Sequence, residues 1–191
     1  MHTDGCKGQV DVRTTRHNDI AYSIYRALST VANIEVIREP PIEGSPSLRN
    51  DIRVIAMQGA AVPNMDIDLT VRSVALNAEG ALRKAQSVRD PLSRTNLDSI
   101  VDVITLNLNV ILEEWRGAKR NKISAVEGYT WRDRFRALPI TTGGYCDPEA
   151  TQLIRSWRTA MSPSTYSNMI QDISTKLVRY RAYEGKVQIG R

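Results

Sequence analysis

A chain of 191 residues with a net charge of +5 is most simply one basic domain. Its hydrophobic fraction of 41% suffices for a core, and its charged fraction of 25% is ordinary for a globular protein. Two cysteines far apart in sequence exclude a disulfide scaffold, and no apolar run approaches the roughly 20 residues of a membrane span. We therefore expect a polyanionic partner, no membrane partner, and a reducing nuclear or cytoplasmic compartment, since no secretory leader follows Met1.

The first half of the chain predicts one helix and three strands. Apolar residues at helical spacing, with Asn18 as a cap, predict a helix over residues 18–32. Runs rich in β-branched residues predict strands over residues 34–38, 51–55 and 66–72. The prolines and glycines between residues 39 and 47 predict a loop.

The second half predicts four helices and one strand. Helical character over residues 78–88 is followed by a long helix from 97 to 122, then by a strand over 135–142. Asp147 and Pro148 begin the next helix, and Ser162-Pro163 begins the last. This order predicts a mixed α/β fold, with a small central sheet of about four strands flanked by helices and a C-terminal helical extension.

Aspartates within two predicted strands are the main functional feature. Asp51 begins one strand, and alternation places Asp66, Asp68 and Thr70 on one face of the next. Aspartate is a poor strand former that resists burial, so paired carboxylates on neighbouring strands indicate a site for a hard divalent cation, Mg²⁺ or Mn²⁺. The alternative is that each aspartate is only an edge or turn residue.

Such a site could hydrolyse a phosphodiester. A cation held by Asp51 and Asp68 would polarise a phosphate oxygen, and a lysine would orient water and stabilise the developing charge. Glu35 and Glu39 are candidates for a third ligand, and Lys119 and Lys122 are candidates for the lysine. Two facing carboxylates repel without a metal, so one of them should have a raised pKa.

The order of three motifs resembles a known family. Arg16-His17-Asn18-Asp19 precedes a helix, Arg49-Asn50-Asp51-Ile52-Arg53-Val54 leads a strand, and Asp66-Ile67-Asp68-Leu69-Thr70-Val71 forms the next. Lys119-Arg120-Asn121-Lys122 and Pro139-Ile140-Thr141-Thr142-Gly143-Gly144 follow. The series resembles the restriction-endonuclease-like domain, of the PD-(D/E)xK superfamily, that lies C-terminal to the reverse transcriptase of site-specific non-LTR retrotransposons.

The resemblance implies a role for each matching residue. Asp51 would be the first metal ligand and Asp68 the second, with Asp66 and Glu39 as further candidate ligands. Lys119 would be the catalytic lysine, supplied from a helix because Thr70 stands where many such nucleases have lysine, and Lys122 is its rival. Two further positions depart from the family pattern, namely Asn50, where proline is usual, and Ile123, where tyrosine is common.

The resemblance and the charge together predict a metal-dependent DNA endonuclease domain of mobile-element origin. DNA is the expected partner, RNA is a second candidate, and linkage to a reverse transcriptase is implied. A nucleic-acid-binding module without catalysis and a structural or protein-interaction domain are the alternatives. The candidate nucleic-acid contacts are Arg16, His17, Arg49, Arg53, Arg120, Lys176 and Arg179.

Three segments are expected along the chain. Residues 1–16 form an N-terminal segment, in which His2 and Cys6 resemble a truncated zinc knuckle with too few ligands for a closed zinc site. Residues 17–160 form the restriction-endonuclease-like domain, and residues 161–191 form a basic C-terminal helix.

Overall fold

The computed structural model describes residues 7–73 and 97–189. Within them lie four α-helices and six strands, and two short 3-10 helices, Arg132–Arg134 and Trp157–Thr159, join the later elements. The elements are, in chain order, α1 (Lys7–Leu28), β1 (Ile34–Arg38), β2 (Pro41–Ile42), β3 (Ser45–Arg49), β4 (Ile52–Ala56), β5 (Met65–Arg72), α2 (Leu97–Ser124), β6 (Phe135–Thr141), α3 (Pro148–Ser156) and α4 (Pro163–Ile189).

Four of the strands form a mixed sheet in the order β1-β4-β5-β6. In the first three strands each is antiparallel to its neighbour, whereas β6 runs parallel to β5. A parallel neighbour needs a long crossover connection, and α2 lies in the segment that connects β5 to β6. Strands β2 and β3 form a separate hairpin, which turns at Gly44 with a φ of +83°.

Both faces of the sheet are covered. Seven of the eight residues of β5 are buried, so this central strand has no solvent-exposed face. One core joins the sheet to α1 and α4 and includes Ile20, Ile24, Leu28, Ile67, Leu69, Val71, Leu138, Trp157, Ile173 and Leu177. The other lies against the end of α2 and the hairpin and contains Ile42, Ile123, Val126, Tyr129, Phe135 and Ala137.

The expected α/β architecture with a four-stranded mixed sheet is confirmed, with three differences in the elements. Helix α1 begins at Lys7 rather than at residue 18, so the expected segment boundary after residue 16 falls inside a helix. The expected loop over residues 39–47 contains the hairpin β2–β3. The C-terminal helix α4 packs into the main core through Ile173 and Leu177.

Two expectations fall outside the described residues: the helix over residues 78–88 and the zinc-knuckle remnant at His2 and Cys6. In the described ranges, no helix combines the length and the apolar character that crossing a bilayer requires.

Candidate active site

Asp51 lies just before the start of β4, beside the stretch of β5 that carries Asp68. The antiparallel register pairs Ile52 with Ile67, and the Asp51 N–H donates to the Ile67 carbonyl at 2.9 Å, so the regular ladder is interrupted at Asp51 as in a β-bulge. The Asp51 side chain accepts from the N–H of Leu69, the residue after Asp68, and its charge acts directly on the Asp68 carboxyl. The two carboxylates are therefore neighbours.

Side chains form hydrogen bonds with the backbone of β5 where it extends beyond the first residue of β4. The Leu69 N–H donates to Asp51 Oδ2 at 2.5 Å, and the Leu69 carbonyl accepts from His17 Nε2 at 3.1 Å. Further along, the Val71 carbonyl accepts from Arg16 Nη2 at 3.4 Å. These contacts satisfy backbone groups that lack a neighbouring strand. They also fix Asp51 and the middle of α1 against the same stretch of β5.

His17 forms the closest cationic contact of Asp51. Its Nε2 lies 3.3 Å from Asp51 Oδ2, and its Nδ1 lies 3.2 Å from Asn18 Oδ1. The hydrogen bond to Asp51 raises the pKa of His17 from 6.5 to about 9, against the opposing effect of burial. At neutral pH His17 is therefore an imidazolium that offsets the charge of Asp51. The sequence suggested a nucleic-acid contact for His17 and did not predict this carboxylate contact.

Lys119 reaches the site from α2 and contacts both oxygens of Asp68. Its Nζ lies 2.7 Å from Oδ1 and 2.8 Å from Oδ2. Burial raises the pKa of Asp68, and the nearby Asp51 raises it further, while Lys119 and His17 act in the opposite direction. A raised pKa was expected for one of two facing carboxylates, although burial is the larger cause. Lys122, the rival lysine, is exposed in the last turn of the same helix.

Asp66, a candidate metal ligand in the sequence, belongs to a different and largely buried network. It has no exposed surface, and its Oδ2 accepts from Arg53 Nη2 at 2.7 Å and from the Tyr129 hydroxyl at 2.6 Å. Arg53 also donates to Glu43 at 2.8 Å, and its guanidinium lies 4.6 Å from the centre of the Trp131 ring. Arg53 is thus a buried ion-pair partner rather than a nucleic-acid contact.

Glu39 approaches the site through its backbone, but its side chain points elsewhere. Its N–H donates to the Asp51 carbonyl at 2.9 Å, whereas its carboxylate forms an ion pair with Arg38 at 3.3 Å. In residues 7–73 and 97–189, no group of three or more His, Cys, Asp and Glu side chains could hold a metal ion. The candidate metal ligands that the structure brings together are therefore Asp51 and Asp68, without Glu39.

The other predicted nucleic-acid contacts divide into buried and exposed residues. Arg16 is 1% exposed. Lys176 donates hydrogen bonds to the Ser23 hydroxyl, the Asp172 carboxylate and the Asp19 carbonyl, so both side chains form contacts inside the protein. The exposed residues are Arg49, Arg120 and Arg179. Of these, Arg49 donates to the Glu39 carbonyl, and Arg120 pairs with Glu149.

An arginine-lined cavity near Lys119 is a feature that the sequence did not predict. It has a volume of about 260 Å³ and lies between the end of α2 and the start of β6. Arg132 and Arg136 are anchored there by hydrogen bonds to the carbonyls of Val126 and Phe135. Arg120 and Ser124 line the same cavity, together with Ile123, Asp133 and Phe135. The alternating arginines at positions 132, 134 and 136 were the available sequence signal.

Comparison with known proteins gives no family for this chain: no protein-family model matches it, and no curated protein matches it.

Proposed function

We propose that this chain is a metal-dependent endonuclease domain that hydrolyses a phosphodiester bond in DNA. The observation that carries the proposal is the proximity of the Asp51 and Asp68 carboxylates, with the ammonium group of Lys119 on both oxygens of Asp68. Two carboxylates and a lysine are the groups that metal-assisted phosphodiester hydrolysis uses. They come here from the residue before β4, from β5 and from the helix that follows.

The two carboxylates fit a Mg²⁺ or Mn²⁺ ion. Magnesium in phosphoryl-transfer sites keeps several waters and takes one or two protein carboxylates, with substrate phosphate completing its ligands. The raised pKa of Asp68 fits too, because a buried carboxylate beside Asp51 gains from a neighbouring cation. Asp51 and Asp68 would hold the ion, which when bound supplies a Lewis acid for the phosphate oxygen and an activated water.

The remaining groups act around this pair. Lys119 neutralises Asp68 in the structure, and a lysine at this point can stabilise negative charge that develops on the phosphate. His17 holds Asp51 in place by a charged hydrogen bond, since its raised pKa keeps it protonated at neutral pH. The Leu69 N–H fixes the same carboxylate from the other strand.

The arginine-lined cavity supports a nucleic-acid substrate. Arg120, Arg132 and Arg136 line it, and Arg120 directly follows Lys119 in α2. Guanidinium groups bind phosphate oxygens in a bidentate manner, so anchored arginines at the end of the helix that carries Lys119 suit the sugar-phosphate backbone. The charge of +5 has the sign that such a partner requires.

The resemblance to retrotransposon endonuclease domains supports a mobile-element origin and linkage to a reverse transcriptase. The motif residues Asp51, Asp68 and Lys119, which the resemblance selects, are also residues that lie together. The proposed specific fold is therefore restriction-endonuclease-like, with DNA as the substrate and RNA as a second candidate.

The test is nicking of supercoiled plasmid DNA in the presence of Mg²⁺ or Mn²⁺. We expect Asp51→Asn and Asp68→Asn each to lower the nicking rate by about 100-fold or more. Glu35→Gln is the matched control, because Glu35 is an exposed carboxylate of β1 and its loss should leave nicking unchanged. Circular dichroism verifies that each variant is folded. Undiminished nicking by the Asp51→Asn/Asp68→Asn double variant would overturn the proposal.

A second candidate function is nucleic-acid binding without catalysis. The observation in its favour is that His17 and Lys119 already neutralise both carboxylates, so the four side chains form a balanced cluster without a metal. A purely structural cluster of this kind would serve a binding domain equally well. Salt-dependent DNA binding by the wild type, with no nicking in Mg²⁺ or Mn²⁺, would identify this alternative.

A further inference from the structure

We propose that Tyr22, Arg26 and Arg38 form a stacking platform for an unpaired nucleobase beside the cleavage site. This inference rests on the proposed endonuclease function and names its substrate more closely: DNA with an unpaired strand next to the scissile bond. The platform consists of exposed residues that the carboxylate site does not use.

The platform is built around an exposed aromatic ring. Tyr22 is 43% exposed, and the guanidinium groups of Arg26 and Arg38 lie 5.9 and 5.5 Å from the centre of its ring. Tyr25 is stacked beside it, with ring centres 6.1 Å apart and an interplanar angle of 23°. Arg26 and Tyr25 are helical neighbours of Tyr22 and would meet it in any helix. Arg38 comes from β1, so its contact is a property of the tertiary fold.

The chemistry of this surface matches an unpaired nucleotide. Proteins that bind single strands combine aromatic rings for stacking with cations along the backbone, and guanidinium planes also stack on bases. Arg26 and Arg38 carry two positive charges. The Glu39 carboxylate pairs with Arg38 at 3.3 Å and offsets only one of them, so the platform keeps a positive charge. A paired base inside a duplex offers no free face for stacking, so the platform selects an unpaired strand.

Arg26 also borders a cavity with room for an adjoining nucleotide. This cavity has a volume of about 290 Å³ and lies between α1 and α4. Its lining includes the hydroxyl groups of Thr30 and Thr165, the amide of Asn168, and the carboxylate of Asp172, whose charge is paired with Lys176 at 2.9 Å. Hydroxyl and amide groups are common partners of phosphate and sugar oxygens. The cavity thus continues the polar path from Tyr22 along α1.

The platform lies close to the paired carboxylates. Arg38 pairs with Ile52 in the sheet, and the next residue, Glu39, donates its N–H to the Asp51 carbonyl. Along α1, Tyr22 follows His17 by five residues, which corresponds to a rise of roughly 7–8 Å. A strand that leaves the site past Asp51 would therefore reach Tyr22 within a few nucleotides.

The test compares three labelled probes by fluorescence anisotropy in EDTA, where a metal-dependent enzyme cannot cleave them. The probes are oligothymidylate, a blunt duplex, and the same duplex with a single-stranded overhang. We expect the wild type to bind the overhang duplex more tightly than the blunt one. Tyr22→Ala should weaken binding of oligothymidylate and of the overhang duplex by about 5- to 100-fold and leave blunt-duplex binding unchanged.

Two further variants serve as controls for Tyr22→Ala. Tyr22→Phe keeps the ring and should bind all three probes like the wild type. Met57→Ala removes an exposed apolar side chain just beyond the far end of β4 and should change none of the affinities. Equal binding of the overhang duplex by Tyr22→Ala and the wild type would overturn the platform and leave the endonuclease proposal standing. Failure of the wild type to bind any probe would likewise overturn the platform, whereas the endonuclease proposal is decided by nicking in Mg²⁺ or Mn²⁺.

Discussion

Asp66 and Asp68 lie two residues apart on the same face of β5, yet their surroundings differ in kind. Asp66 has no contact with solvent and is fixed by Arg53 and Tyr129. A buried ion pair of this kind is costly to break, because removing one partner leaves an uncompensated charge. Asp68 keeps 9% exposure, and its partner Lys119 has a flexible side chain. Of these two aspartates, Asp68 is therefore the one that suits an exchange of its partner for an incoming cation.

His17 provides a test of the carboxylate cluster that does not depend on activity. Its pKa should be about 9 when followed by NMR, because the hydrogen bond to Asp51 favours the imidazolium. Asp51→Asn removes that partner and should lower the pKa of His17 towards 6.5, since burial is then opposed only by the smaller effects of Asn18 and the Leu69 carbonyl. The other histidine, His2, can be assigned by a His2→Gln control. A His17 pKa near 6.5 in the wild type would contradict the contact.

The raised pKa of His17 also makes the free energy of unfolding depend on pH. The folded state holds the His17 proton more tightly than the unfolded chain does, so this contact stabilises the fold fully below pH 6.5. The stabilisation, at most about 3 kcal/mol, is lost as the pH rises through about 9. Urea unfolding of the wild type and of His17→Gln across this range should therefore converge at high pH.

The hairpin β2–β3 is an element whose position depends on one glycine. Gly44 has a φ of +83°, and a Cβ atom built there would meet the Glu127 carbonyl oxygen, a backbone atom that cannot rotate away. Glu43, in the same turn, accepts from Arg53, and Ile42 packs with Ile123 in the second core. The close approach at Gly44 thus places the hairpin over the buried Asp66 network.

Substitution of this glycine should be strongly destabilising. We expect Gly44→Ala to lower the free energy of unfolding by about 2 kcal/mol or more, because strained φ and steric overlap act together. Gly117→Ala is the matched control: Gly117 lies inside α2, no atom lies within 4 Å of the position that its Cβ would take, and alanine is the better helix former. It should stabilise by about 0.5–1 kcal/mol in urea unfolding. Equal effects of the two changes would contradict this account.

The sequence predicted the elements whose start or end is set by neighbouring residues in the chain. It did not predict the elements that form only through contacts with distant parts of the fold. Ser162-Pro163 marks the start of α4 because its determinants, a cap and a proline at the first position, are local. The hairpin sequence predicts a loop because proline and glycine dominate it, whereas its pairing depends on contact with Glu127. Alternation correctly placed Asp66 and Asp68 on one face but could not tell which would meet Arg53 and which Lys119.

The candidate site combines residues from helices that pack in the two different cores. Helix α1, which packs in the main core, delivers His17, and α2, which packs in the second core, delivers Lys119. Asp51, just before the start of β4, and Asp68, within β5, lie between these two helices. The sequence could nominate Asp51, Asp68 and Lys119 by motif, but the contact of His17 with Asp51 depends on how α1 crosses the sheet.

Arginines lie both in the arginine-lined cavity and on α4, on different parts of the molecule. The arginine-lined cavity borders the second core through Ile123 and Phe135, whereas α4 packs in the main core. If the DNA backbone crosses the cavity, Arg132→Gln and Arg136→Gln should each reduce the slope of log binding constant against log salt by about 0.7–0.9. Arg181→Gln, an exposed charge on α4, is the control and should leave the slope unchanged.

These substitutions should also separate binding from chemistry. Because Asp51, Asp68 and Lys119 remain in place, saturating protein should restore the single-turnover nicking rate of Arg132→Gln and Arg136→Gln to that of the wild type. A reduced rate at saturation would place the arginines in the chemical step instead. Identical salt slopes for all three variants and the wild type would mean that DNA does not cross the cavity, and the backbone path would then have to lie on the α1 side of the sheet, where Arg26 and Arg38 are exposed.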